Sequence, residues 1–74
     1  MTMSKYEKIA FDEVKNAYVI SERDEHGRLL CTYTCYPNFK SGTFSCYPRT
    51  IMPGERYPGK KTIEMSAVEP AERN

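Results

Sequence analysis

The sequence predicts an α+β fold in which an N-terminal helix packs on an antiparallel meander of three strands, to which a fourth strand is an optional addition. Three observations indicate this fold. Apolar residues near the N-terminus recur at helical spacing. Residues 17–51 form β-rich segments in which apolar and polar side chains alternate, separated by clusters of turn-forming residues. After residue 51, Pro-Gly pairs prevent a regular strand ladder. Seventy-four residues suffice for one small domain, which we place over 1–74.

Residues 4–16 carry the pattern of a short helix. Ser4 and Glu7 fit a capping box, in which each side chain bonds a backbone N–H at the helix start. The alternative that residues 9–11 begin an extended segment stays open, because so short a helix depends on packing more than on propensity. The apolar stripe at helical spacing comprises Tyr6, Ile9, Ala10 and Val14.

A first hairpin is predicted from residue 17 onward. Residues 17–23 are rich in β-formers, and residues 24–27 form a turn that ends in a glycine. Placing Arg23 opposite Arg28 brings apolar side chains of both arms to one face. The pairs that this register predicts are Tyr18 with Tyr33 and Ile20 with Cys31.

A second hairpin is the most distinctive stretch of the chain. Its arms carry the same Cys-Tyr-Pro signature, at 35–37 and 46–48, around turn formers at 38–42. A four-residue loop places Cys35 opposite Cys46. Each proline lacks a backbone donor, so we expect the prolines at strand ends or at an outward-facing edge, where they stop the ladder.

Strand alternation divides this hairpin into two faces. We expect the apolar face to be the core and the N-terminal helix to cover it. The inward set comprises Leu29, Cys31, Tyr33, Cys35, Phe44 and Cys46. The outward set comprises Leu30, Thr32, Thr34, Tyr36, Ser45, Tyr47 and Arg49.

The chain after position 51 is expected to be less regular. Two Pro-Gly pairs predict a basic loop over 52–60. Residues 61–66 alternate weakly and supply the optional fourth strand at an edge. Residues 67–74 are mostly polar, and we expect a flexible tail there.

Charge is distributed unevenly, although the whole chain carries only +1. Residues 1–25 contain four basic and six acidic residues, a net −2. Residues 26–61 contain six basic residues and one acidic residue, a net +5, and residues 62–74 contain one basic and three acidic residues, a net −2. An electropositive middle favours an anionic partner.

No pattern typical of catalysis or cofactor binding is present in the sequence. The only histidine, His26, lies in a predicted turn far from Cys46, so no base accompanies a cysteine nucleophile. Cys31 and Cys35 are too far apart to chelate zinc from one knuckle, which makes a small zinc-binding domain the least favoured alternative. We therefore expect a non-enzymatic protein without metal, cofactor or small-molecule substrate.

The sequence also bears on location. It contains no apolar run long enough to cross a bilayer and no apolar segment typical of a signal peptide. The chain has three cysteines, an odd number, so any set of intramolecular disulfides would leave one thiol unpaired. We expect a cytoplasmic protein with reduced thiols and no membrane partner.

The outward face of the second hairpin is the candidate binding surface. Tyr and Arg concentrate binding energy at protein interfaces, and the modest number of basic residues favours a protein partner with an acidic surface. We expect an adaptor or inhibitor; the alternative is a nucleic-acid-binding module that stacks bases on the same tyrosines. The predicted binding residues are Tyr36, Tyr47 and Arg49 on the sheet, Lys40 at the hairpin tip, and Arg56, Tyr57, Lys60 and Lys61 in the following loop.

Overall fold

The computed structural model describes residues 5–69 and contains a single six-stranded sheet. The strands are β1 (Lys5–Asp12), β2 (Ala17–Arg23), β3 (Leu29–Asn38), β4 (Thr43–Ile51), β5 (Lys61–Glu64) and β6 (Val68–Glu69), and a 3₁₀ turn, Met65–Ala67, joins the last two. Their order across the sheet is β5-β4-β3-β2-β1-β6. The predicted α+β class is wrong, because strand makes up 62% of the described residues and no α-helix occurs among them.

The predicted N-terminal helix over 4–16 is replaced by β1, which pairs antiparallel with β2. One extra residue, Ile9, interrupts the register between Lys8 and Ala10. This β-bulge changes the side-chain spacing, so Tyr6 and Phe11 both point to the inner face despite an odd separation. A strand with such a bulge places apolar residues at mixed intervals, and these intervals imitate helical spacing.

Two polar residues close the β1–β2 turn. The Asp12 carboxylate accepts hydrogen bonds from the backbone N–H of Val14 at 3.0 Å and of Lys15 at 3.2 Å. Asn16 has φ of 54°, a left-handed conformation that Asn tolerates better than most residues. The last part of the predicted helix over 4–16 is therefore a hairpin turn.

The β2–β3 hairpin forms as predicted, but in a different register. The predicted alignment of Arg23 with Arg28 is wrong, because the turn spans residues 24–28 and β3 contains one extra residue beside it. The central pairs are displaced by two positions, and a displacement of two leaves each side chain on its original face. The observed pairs include Arg23 with Leu29, Ile20 with Tyr33 and Tyr18 with Cys35.

The β3–β4 hairpin confirms the predicted register. Asn38 pairs with Thr43 and Cys35 pairs with Cys46. Within the four-residue loop, the Gly42 N–H donates to the Asn38 carbonyl at 2.9 Å, and Gly42 has φ of 70°, which favours glycine. The local turn chemistry therefore suffices to align these two strands.

The sheet curls upon itself and covers its own apolar face. β5 and β6 lie at opposite edges of the sheet, yet only Met65–Ala67 separates them in sequence. Four residue steps span roughly 14 Å, whereas a flat six-stranded sheet is about 24 Å wide. The sheet is therefore a curled half-barrel. The side chains that form its core are Ile20, Cys31, Tyr33, Cys35, Phe44, Cys46, Ile63 and Val68.

The C-terminal part of the described chain completes both edges. β5 pairs with β4, which confirms the optional fourth strand, and residues 52–60 contain no strand. β6 pairs in parallel with β1 through Val68 and Glu69. These two residues belong to the segment 67–74 that was predicted as a flexible tail, and residues 70–74 of that segment lie outside the described residues.

Candidate functional site

Two tyrosines lie side by side on the convex outer face of the sheet. Tyr36 of β3 and Tyr47 of β4 form an edge-to-face pair, with ring centroids 5.9 Å apart and an interplanar angle of 74°. Their side chains remain 40% and 42% exposed. Aromatic pairs favour this edge-to-face arrangement, and it leaves a large part of each ring in solvent.

The outward position of this pair follows from strand alternation. Cys35 and Cys46 precede the two tyrosines and are fully buried on the inner face. This result confirms the predicted division of the hairpin into a face of thiols and a face of tyrosines. Neighbouring residues of the same two strands thus serve the core and the surface.

Three cations accompany the tyrosines. The Lys60 ammonium lies 5.5 Å from the Tyr47 ring centroid, a cation–π distance. Arg49 is exposed and is the extra residue of a bulge in β4, between Pro48 and Thr50. Lys40 is exposed in the β3–β4 turn, near one end of the same face. We define the tyrosine face as Tyr36, Tyr47, Arg49 and Lys60.

The other predicted binding residues lie on a different side of the molecule. Arg56, Tyr57 and Lys61 line a cleft of about 770 Å³ at the mouth of the half-barrel. Lys60 and Lys61 are adjacent in sequence but point to opposite faces of the sheet, as alternation along an extended chain requires. The Lys60 ammonium lies over the outer Tyr47 ring, whereas the Lys61 ammonium lies over the inner Tyr33 ring at the start of β5. The structure therefore divides the predicted residues into the tyrosine face, the hairpin tip and the cleft.

Lys61 belongs to an internal polar cluster. Its ammonium donates to the Tyr6 hydroxyl at 3.2 Å and lies 3.7 Å from the Glu22 carboxylate. It also lies 5.4 Å from the Tyr33 ring centroid. Burial alone would lower the pKa of Lys61, but the Tyr6 hydrogen bond and the negative charge of Glu22 raise it overall, so the group remains a cation.

Glu22 is the centre of this cluster and was absent from the predicted site. Its carboxylate accepts a 2.7 Å hydrogen bond from the Tyr33 hydroxyl and a 3.4 Å hydrogen bond from Tyr6, and the Cys31 sulfur lies at 3.7 Å. Its inward position could have been found, because Glu22 has the same strand parity as the core residue Ile20.

The floor of the cleft is built from polar side chains of the Glu22 cluster that hydrogen-bond to one another. Burial raises the pKa of Tyr33 and that of the Cys31 thiol above their ordinary values, so neither is activated as a nucleophile. A 2.9 Å salt bridge between Arg28 and Glu55 attaches the loop above the floor to the β2–β3 turn. The floor of the cleft is therefore a network of polar side chains that hydrogen-bond to one another.

Two further observations concern metal ligation and membrane insertion. Within residues 5–69, no three His, Cys, Asp or Glu side chains are grouped so that they could hold a metal ion. His26 lies in the β2–β3 turn, 3.4 Å from the Glu25 carboxylate. The same part of the chain has no helix with the length and apolar character needed to cross a membrane.

Comparison of the chain with family models, with curated proteins and with solved structures gives no match.

Proposed function

We propose that the protein is a non-catalytic adaptor or inhibitor that docks an acidic surface of another protein through the tyrosine face. The observation that carries this proposal is the exposed edge-to-face pair of Tyr36 and Tyr47 with the Lys60 ammonium beside it. Tyr and Arg are the side chains that most often supply large shares of binding energy at protein interfaces.

The rigidity of the tyrosine pair supports this proposal. Both rings are carried by the β3–β4 ladder, where Tyr36 pairs with Ser45 and Tyr47 pairs with Thr34, and each ring restricts the other. A partner therefore has little side-chain entropy to remove when it binds, and less of the contact energy is lost.

Charge supports an acidic partner. Lys40, Arg49 and Lys60 are all exposed on or beside the β3–β4 hairpin, with Lys60 next to the Tyr47 ring, and Glu64 is the exposed carboxylate on the outer side of β5. Carboxylates on the partner would meet three cations and one anion. Three cations are few for tight nucleic-acid binding, because that binding depends mainly on the number of neutralised phosphates.

The proposal can be tested by photo-crosslinking in cells that naturally make the protein. Thr62 is exposed and shares a cross-strand row with Ser45 and Tyr36, so a photoreactive amino acid at Thr62 reports contacts at the tyrosine face. Val14 is 95% exposed in the β1–β2 turn and provides the control position.

We expect crosslinks from Thr62 to one protein, at partner peptides rich in Asp and Glu, and loss of these crosslinks with Tyr47→Ala. We expect no such product from Val14. Crosslinks to DNA or RNA would support the nucleic-acid alternative instead, and equal products from both positions would refute the tyrosine face as a docking site.

A charge test complements the crosslinking. Arg49→Glu combined with Lys60→Glu should reduce the crosslink yield and leave the fold intact, because both side chains are exposed. Lys61→Glu is unsuitable for this purpose, because Lys61 interacts with Glu22 and Tyr6 inside the half-barrel.

A further inference from the structure

Cys35 and Cys46 face each other across β3 and β4, and the prolines reveal the type of this pair. Two residues of a hydrogen-bonded antiparallel pair exchange two N–H···O bonds, which a proline cannot do. Pro37 pairs with Phe44, so that pair is of the non-hydrogen-bonded type. Pair types alternate along the ladder, and Cys35–Cys46, two positions away, is therefore non-hydrogen-bonded as well.

Residues in such a pair have the closest approach that a sheet offers. Their Cα atoms lie about 4.5 Å apart, within the range of about 4.4–6.8 Å found in disulfides. Both side chains point to the inner face and are fully buried. The two thiols therefore face each other within the core.

We propose that Cys35 and Cys46 are a redox-active dithiol that closes to a disulfide directly beneath the tyrosine face. Both thiols are fully buried, so an oxidant reaches them through local opening of the sheet, and Cys46 lies next to the edge strand β5. Cys46 lies opposite Lys61, and Lys61 lines the cleft that opens to solvent.

The oxidant that we infer is a peroxide, such as hydrogen peroxide. We assign Cys46 as the attacking thiolate, because Cys46 pairs with Lys61 across β4 and β5 and a nearby ammonium favours the thiolate form. Its sulfur breaks the O–O bond and becomes a sulfenic acid, and one water is released after protonation. The Cys35 sulfur then attacks the sulfenic sulfur and displaces a second water. Two thiols and one peroxide thus give one disulfide and two waters.

The consequence for binding rests on the proposed function. Tyr36 and Tyr47 directly follow the two cysteines in sequence. A covalent link between the cysteines fixes the spacing of the two strands beneath the rings, so the oxidised protein presents a more rigid tyrosine face. We expect the oxidised form to bind its partner more tightly than the reduced form.

The geometric part of the proposal can be tested without a partner. In Cys31→Ser, only Cys35 and Cys46 remain, and a glutathione redox buffer brings them to equilibrium with their disulfide, both in native buffer and in denaturing urea. Intact mass after alkylation gives the disulfide fraction. We expect the native state to favour the disulfide by roughly 100-fold over the denatured state, the stabilisation typical of a short closed loop. A ratio of one or less would overturn the proposal.

The kinetic and functional parts have their own outcomes. Peroxide treatment of native Cys31→Ser should lower the intact mass by two hydrogen atoms. The control, Cys31→Ser combined with Cys35→Ser, should not form the intramolecular disulfide. If Cys31→Ser keeps its mass, the peroxide reaction is overturned. Crosslinking from Thr62 should rise in the oxidised protein. Equal crosslinking in both redox forms would overturn the regulation alone, whereas absence of crosslinks in both forms would count against the docking proposal.

Discussion

At the scale of single residues, Glu22 shows how this small sheet accommodates a charge in its interior. Its side chain is only 9% exposed, and Tyr33, Tyr6 and Lys61 surround the carboxylate. A buried carboxylate is tolerated when hydrogen bonds and an opposite charge replace the lost water. The tyrosine hydroxyls therefore contribute to stability through Glu22 as well as through packing.

Tyr33→Phe tests this role. The substitution preserves the ring and removes the 2.7 Å hydrogen bond to Glu22, so the free energy of unfolding should fall by about 1.5–3 kcal/mol. Urea denaturation measures the change. Tyr57→Phe is the matched control, because Tyr57 is 74% exposed and its hydroxyl faces water, and this change should remain within about 0.5 kcal/mol. Equal effects of the two substitutions would contradict the account.

The same cluster predicts a dependence on alkaline pH. Burial raises the folded-state pKa of Cys31 above its ordinary 9.0 and that of Tyr33 above its ordinary 10.0. The unfolded chain therefore loses these protons first, and stability that is complete below about pH 9 should decline as pH rises beyond it. Urea midpoints at about pH 8 and pH 10.5 measure the decline, which should be shallower in Tyr33→Phe. A midpoint that does not change with pH would refute the prediction.

At the scale of elements, the β1–β2 turn depends on a residue with positive φ. Asn16 has φ of 54°, a left-handed conformation that strains residues other than Gly, Asn and Asp. Asn16→Ala should lower the free energy of unfolding by about 1–2 kcal/mol, whereas Asn16→Gly should cause no loss. Chemical denaturation of the two variants provides the comparison, and a more stable Ala variant would contradict the assigned turn.

The two hairpins show what local sequence can and cannot predict. The β3–β4 register was predictable, because Asn38 and Gly42 fix the turn and Pro37 fixes the pair type. β1 was mispredicted because the bulge at Ile9 breaks period-two alternation, and bulges have no reliable signal in a single sequence. The tyrosine pair was found from alternation alone, since alternation does not depend on what covers the core.

At the scale of the whole molecule, closure of the sheet was not predictable. The parallel pairing of β6 with β1 involves two residue pairs, Tyr6 with Val68 and Glu7 with Glu69, that are distant in sequence. So short a strand has no periodicity to detect. Without this closure, the apolar face requires another cover, and the predicted N-terminal helix was therefore placed over it.

Val68→Ala tests whether closure contributes to stability. Val68 is 9% exposed and belongs to the core, so loss of its methyl groups should lower the free energy of unfolding by about 1–3 kcal/mol. Val14→Ala is the matched control, because Val14 is 95% exposed and should cost less than about 0.5 kcal/mol. Similar denaturation curves for the two variants would indicate that β6 does not close the core.

The central claim is that the outer tyrosine pair is a docking surface for an acidic protein. Its most direct test is the affinity for the partner identified by crosslinking, measured for Tyr47→Ala and for the matched variant Tyr57→Ala, which changes an exposed tyrosine of the cleft. The account predicts that Tyr47→Ala weakens binding at least about 30-fold, equivalent to roughly 2 kcal/mol, and that Tyr57→Ala changes it less than about threefold. Equal affinities of the two variants would contradict the claim.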